Sequence, residues 1–220
     1  MSNAVKINGN ALSVYSADAV SYYVGACSIT NGYVLPYSKI IPVILKGKIG
    51  LRKVSLTLDF SGTEKEIADN IRSVTKELQG KSNISLPDEY DYWCVLESIG
   101  NPKVKAPWIK QVEFILSGVR HGPISSFQFT AGSRQITAVG DLPSPAIISI
   151  SGSSPITFNG ITITGATGTV EIDGIETTVT DSNGNAFGKT NMTEWPKLSP
   201  GANTISTTGS GTIAYYPIYL

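Results

Sequence analysis

The sequence predicts a mainly β protein of two domains, with one α-helix in the first, and three observations carry that expectation. Only 15% of the 220 residues are charged while 41% are hydrophobic, enough apolar material for a sizeable core with few of the charges that coat helical surfaces. The chain has 22 Gly and 12 Pro, clustered so that they punctuate short apolar runs. At Arg120-His121-Gly122-Pro123 the composition shifts: beyond it Lys and Glu become rare and Ser, Thr, Gly and Ile dominate. Residues 1–121 are therefore expected to form a β-sandwich or split-barrel domain carrying the helix. Residues 122–220 are expected to form a β-sandwich of jelly-roll type.

Residues 1–48 offer short strands at Ala11–Tyr15, Val20–Val24 and Ile40–Leu45, separated by turn clusters at Thr30-Asn31-Gly32 and Leu35-Pro36. Pro42 pushes its segment towards an edge or a bulge, since it has no ladder N–H to donate. Val54–Phe60 is clearer: Val54, Leu56, Leu58 and Phe60 alternate with Ser55, Thr57 and Asp59, so one face is buried and one is wet. The helix follows, over about 63–79. Thr63 with Glu66 three residues on makes a capping box. Ile67, Ile71, Val74 and Leu78 form one apolar stripe, and Gly80 ends the segment. Strands are expected again at Asn83–Leu86, Tyr92–Glu97 and Ile109–Gly118.

In the second half, strands are expected at Ile124–Phe129, Arg134–Val139, Ala146–Ser151, Ile156–Phe158, Ile161–Thr164, Thr169–Asp173, Glu176–Thr180, Asn203–Thr208 and Gly211–Tyr216. Asn159-Gly160 is the strongest hairpin signal, and Asp173-Gly174 a second. The closing stretch reads as a hairpin: Ser199-Pro200-Gly201-Ala202 is a turn feeding Asn203–Thr208, and Gly209-Ser210 joins that strand to Gly211–Tyr216.

No catalytic, cofactor or metal site emerges. The single histidine, His121, falls in the expected linker and reads as a surface residue. Asp88, Glu89 and Asp91 read as a solvated turn rather than as paired catalytic carboxylates. Asp181-Ser-Asn183-Gly-Asn185 starts like a calcium loop, then puts Ala186 where glycine is required and Met192 where the bidentate glutamate belongs. Gly209-Ser210-Gly211 lacks the lysine and helix of a phosphate cradle. Cys27 and Cys94 read as free, buried thiols in a reducing compartment. Lys+Arg and Asp+Glu both number 17, so no basic bias favours nucleic acid or a membrane surface. No signal peptide or membrane span is expected. Trp195, Tyr215, Tyr216 and Tyr219 are candidates for stacking on a sugar ring, although alternate positions of that strand must pack inward.

The motifs from Pro145-Ala-Ile-Ile-Ser-Ile through Ile161-Thr-Ile and Val170-Glu-Ile-Asp173-Gly174 to Trp195-Pro-Lys-Leu198-Ser-Pro200-Gly201-Ala-Asn203-Thr-Ile205 and GTIAYYPIYL resemble the C-terminal half of siphophage distal tail (Dit) proteins. The VSLTLDF strand, the capped helix, NISLP and YDYWCVLES resemble, more loosely, that family's ring-forming domain, which is related to tail-tube proteins. The family usually opens with an F-x-F-x-G hairpin, where this chain has Val5-Lys-Ile-Asn8-Gly9, and the chain lacks the large insertions some members carry.

The resemblance implies a tail-tube-like first domain and a galectin-like second domain. Leu198, Pro200, Gly201 and Asn203 would be family-diagnostic turn residues with a structural role. It further implies a non-enzymatic virion protein of the tail tip, made in the host cytoplasm, that forms a hexameric hub ring, single or stacked, around a DNA channel. Its partners would be further copies of itself, the tail-tube protein, the tail-tip protein or tail-associated lysin, and receptor-binding proteins, with no sequence-specific nucleic-acid binding, no membrane insertion and no cofactor. The alternative is a carbohydrate-binding adhesin that uses the C-terminal sandwich as a lectin.

Overall fold

A computed structural model describes residues 5–34, 43–88 and 90–220. The chain is mainly β, and its described residues hold one α-helix. It divides into two compact units, Met1–Arg120 with Leu220, and His121–Tyr219. The first contains β1 (Lys6–Ile7), β2 (Asn10–Ala11), β3 (Ala17–Val24), β4 (Ile29–Val34), β5 (Val43–Ile49), β6 (Arg52–Ser61), α1 (Glu64–Leu78), β7 (Ser82–Ser85), β8 (Asp91–Ile99), β9 (Lys103–Ala106) and β10 (Ile109–His121).

The main sheet of this unit runs in the order β2-β1-β7-β8-β10-β6-β3, with β9 also on β10 and β4 paired with β5 apart from it. Its centre is the alternation read in the sequence. Val54, Leu56 and Leu58 of β6 lie opposite Leu116, Phe114 and Val112 of β10, and all six are buried. On the other face Ser55 Oγ donates to Glu113 Oε1 at 2.7 Å and Gln111 Nε2 to Asp59 Oδ1 at 2.9 Å. Helix α1 lays Ile67, Val74 and Leu78 onto the apolar face, with Ile71 half-buried beside them. Its capping box is formed: Glu66 N donates to Thr63 Oγ1 at 3.3 Å, and Thr63 N to Glu66 Oε2 at 2.7 Å. The bonds that Thr63 donates to the Glu66 carboxylate, from its backbone N and then from its Oγ1, hold that carboxyl below its ordinary pKa.

Several local readings change. Leu12–Tyr15 is a 3-10 turn rather than strand, because the short β1–β2 hairpin turns on Asn8-Gly9, both at positive φ, and a period of three then buries Leu12 and Tyr15 together. Thr30-Asn31-Gly32 is not a turn but lies within β4, followed by a register shift against β5. Pro42, Leu35-Pro36 and the first residues of Ile40–Leu45 lie outside the described residues, as does Glu89. Asp88 is engaged rather than free in solvent: its carboxylate accepts from the buried Tyr92 hydroxyl at 2.5 Å, and burial, then this bond, raises the Tyr92 pKa. Cys94 is buried, and burial pushes its thiol up to about 12; Cys27 is only half-buried.

Arg120-His121 is not a linker. Both residues belong to the end of β10, and His121 is 1% exposed. Its ring meets Tyr216 edge-on at 5.2 Å, and its Nδ1 lies 2.9 Å from the Gly122 carbonyl.

The second unit contains β11 (Ser125–Phe129), β12 (Gly132–Ala138), β13 (Ser144–Ser151), β14 (Ile156–Phe158), β15 (Ile161–Ile163), β16 (Val170–Asp173), β17 (Thr178–Asp181), β18 (Gly184–Asn185), β19 (Lys197–Leu198), β20 (Gly201–Thr207), β21 (Ser210–Tyr215) and β22 (Ile218–Tyr219). One sheet runs β11-β21-β13-β16-β17-β18, with β19 on β13, and a second runs β12-β20-β14-β15. They form a sandwich in the sense that one apolar core draws on both: Ile148, Ile150, Ile172 and Ile213 from the first, and Ile136, Phe158, Ile163 and Ile205 from the second.

The Asn159-Gly160 hairpin is present, both residues at positive φ between β14 and β15. Asp173-Gly174 is not a two-residue turn. Asp173 Oδ1 accepts from Ile175 N and Glu176 N at 2.7 and 3.0 Å, so the loop is four residues long and β17 starts at Thr178. The largest correction concerns the closing pair of strands. β20 pairs β12 and β14, whereas β21 pairs β11 and β13. They are not a hairpin; the chain steps from one sheet to the other at Thr208-Gly209. Neither Gly209 nor Ser210 adopts the positive φ that a tight hairpin demands. Gly209 is needed for close approach instead: a Cβ there would stand 2.6 Å from the Ser151 carbonyl oxygen.

Candidate functional site

No described cluster of three or more His, Cys, Asp or Glu side chains could hold a metal. Three of the exposed large hydrophobic residues, Val20, Tyr22 and Tyr23, lie on a single strand at one edge of the first unit. β3 ends the main sheet, and its outer edge faces no strand among the described residues. Such an edge presents unpaired N–H and C=O groups to any strand that can approach.

A bulge sets the side chains of this edge. Ala19 lies opposite Leu58 and Ser21 opposite Thr57, so Val20 is the extra residue. Past the bulge, Tyr22 and Val24 take the positions opposite Leu56 and Val54, on the core side. Because no further strand covers that side, Tyr22 remains 37% exposed, with Val20 at 53% and Tyr23 at 67%. Val5, Ala19, Val20, Ser21 and Tyr22 line a hollow of about 230 Å³ there. The arrangement offers apolar surface beside free backbone groups, which suits strand-to-strand association and holds no group placed for catalysis.

The aromatic residues singled out for sugar stacking do not form a platform. Tyr215 is 1% exposed. Its ring stacks on Phe127 at 6.3 Å and 9°, and its hydroxyl accepts from Val139 N at 2.8 Å, so it is a core residue with no open face. The sequence period of two had already required one of Tyr215 and Tyr216 to point inward. Tyr216 is half-buried against His121, and Tyr219 lies close to Gly122, where a Cβ would come within 3.1 Å of its ring. Trp195 packs partly into the sandwich core and tilts on Phe187 at 5.9 Å.

The turn residues have a defined geometry. Gly201 takes φ +89 after Pro200. Asn203 then replaces missing backbone bonds: its Oδ1 accepts from Ser199 N at 3.0 Å, and its Nδ2 donates to the Ser199 and Gly201 carbonyls at 2.7 and 2.9 Å. Leu198 is buried on β19, opposite Ser144. The Asp181–Asn185 segment also closes on itself. Asp181, its side chain fully covered, accepts from Lys189 Nζ at 2.6 Å, Thr167 N at 3.1 Å and Asn183 N at 2.8 Å. The Lys189 bond first, then the backbone donors, hold its carboxyl down at about 2.

Sequence reasoning missed the β3 edge because a bulge cannot be read from Ala19-Val20-Ser21. The apolar and aromatic residues at positions 19–24, interrupted only by Ser21 and so not alternating as a strand with one wet face would, were the available signal.

No family model and no curated protein matches the chain. Solved structures do. The SPP1 Dit protein, described as a paradigm of the hub adsorption apparatus of phages infecting Gram-positive bacteria, superposes with a TM-score of 0.68 at 15% identity, covering 99% of both chains. A chain of the phage p2 baseplate in its activated conformation with Sr superposes with a TM-score of 0.62 at 8% identity, covering 96% of this chain and 97% of that one. The corresponding structure with Ca gives a TM-score of 0.58 at 8% identity over 92% and 90%. The chain thus has, from end to end, the fold of a phage Dit protein.

Proposed function

We propose that the protein is a structural hub of a phage tail tip, a distal tail protein without enzymatic activity. Six copies close into a ring through their first units. The ring joins the tail tube to the tail-tip or lysin protein, surrounds the path by which DNA leaves, and carries the second units outward, where receptor-binding proteins attach. The observation that carries this reading is the end-to-end match to a hub protein, which covers 99% of each chain. The uncovered β3 edge with Val20, Tyr22 and Tyr23 supports it, because closed rings need surfaces that pair head to tail.

The test is mass photometry of the purified protein, alone and mixed with the tail-tube and tail-tip proteins of the same phage. A complex of six copies in at least one mixture is expected. A chain that stays monomeric in all of them at high concentration overturns the proposal.

A further inference from the structure

The second unit holds a cleft to which nothing above assigns a role. It has a volume of about 360 Å³ and lies between the β14–β15 turn and the segment 191–198, at the small end of the ~300–1,000 Å³ typical of ligand sites. Asn159 and Asn191 stand on its walls. Each amide is fixed through its oxygen: Asn159 Oδ1 accepts from Ser206 N at 2.7 Å, and Asn191 Oδ1 from Thr162 N at 2.6 Å. The NH₂ group of each is thereby oriented and has no partner among the described residues. Glu194 and Lys197 line the same cleft, exposed and equally without a side-chain partner among the described residues. Met192 and Ile161, both half-buried, supply apolar surface in the same cleft.

The geometry points to a saccharide-binding site, and we infer that the cleft takes the neutral end of a glycan, a hexose or N-acetylhexosamine unit. Two pre-oriented amide donors meet hydroxyl or acetamido oxygens, and Glu194 accepts from hydroxyls. Lys197 balances the Glu194 charge, so no net field selects an ionic ligand. The C–H face of the sugar rests on the apolar floor. The site differs from the aromatic platform considered from the sequence: the lining passes from Glu194 to Pro196 without Trp195, whose ring packs on Phe187.

The test is a titration of the full chain with glucose, galactose, N-acetylglucosamine, N-acetylgalactosamine and their disaccharides, read by ligand-observed NMR and calorimetry. Asn159→Asp and Asn191→Asp keep the acceptor oxygen that each local fold uses and replace the NH₂ donor by a charged acceptor oxygen. Saturable binding of at least one probe is expected, weakened tenfold or more in each variant with the melting temperature unchanged. Binding that survives both variants but is lost in Trp195→Ala moves the site to the Phe187–Trp195 face and overturns the assignment. No saturable binding of any probe by the unaltered chain overturns it as well. Neither result bears on ring formation, which is measured separately.

Discussion

The two units solve the same problem, covering a β-sheet, in opposite ways. The second faces one sheet with another, so that both apolar faces are satisfied within the unit. The first lays a single helix on one long sheet and leaves the β3 end of the apolar face open. Among the described residues, ten large hydrophobic side chains are exposed in the first unit, setting aside the terminal Leu220, against three in the second, Ile124, Val139 and Phe187. The units thus differ about threefold in the number of such residues, and three of the ten, Val20, Tyr22 and Tyr23, sit together on the β3 edge, where a monomer has no reason to keep them. The difference assigns self-sufficiency to the sandwich and incompleteness to the helix-bearing unit.

The sharpest way to break that contrast is to truncate matched aliphatic and aromatic positions. Ile148 is fully buried at the centre of the sandwich, so Ile148→Ala costs about 2–5 kcal/mol. Tyr22 occupies a core-side position in β6 register yet is 37% exposed, so Tyr22→Ala in the isolated chain costs about 1 kcal/mol or less, as partly exposed sites do. Urea denaturation of the two variants measures both. Equal losses would show that the β3 edge is covered in the monomer, and the contrast would fail.

A smaller effect separates the units by pH. Asp181 titrates at about 2 in the folded chain because Lys189 and two backbone N–H groups stabilise its charged form, while an unfolded aspartate titrates near ~3.9. A depressed folded pKa gives stability that is fully present above ~4 and drains away as pH falls through that value towards 2. The second unit should therefore soften between about pH 4 and pH 2, and Asp181→Asn should flatten that limb of its acid-unfolding curve. An unaltered slope in Asp181→Asn would remove Asp181 from the account.

What the sequence disclosed follows the range over which each signal acts. The alternation of Val54–Phe60, the Thr63–Glu66 box and the Asn159-Gly160 turn are decided within a few residues, and each is found where the pattern put it. The pairing of β20 and β21 is decided elsewhere. A strand, a Gly-Ser link and a second strand look the same whether the chain folds back or crosses between sheets, since the choice depends on which neighbour each strand meets. Only the positive φ of a true hairpin distinguishes them, and Gly209-Ser210 lacks it. His121 was misread for a related reason: Gly122-Pro123 ends a strand that had already buried the histidine. The cleft was invisible because Asn159 and Asn191 are 32 positions apart and each reads locally as a turn or loop residue.

The smallest expected change in stability tests the largest functional claim. Val20 sits in a bulge of the edge strand and Tyr23 on its exposed side, so Val20→Lys and Tyr23→Lys remove no buried contact and should shift folding stability by no more than about 0.5 kcal/mol. Edge lysines are nevertheless the device by which natural sheets refuse a further strand, because joining would bury an uncompensated charge. If β3 is where the first unit is completed by a neighbour, the lysine variants fold normally, retain the melting profile of the parent chain, and lose the six-copy complex in mass photometry. A ring that still forms at the parent concentration would move the assembly surface away from β3, and the exposure of Val20, Tyr22 and Tyr23 would then need a different partner to explain it.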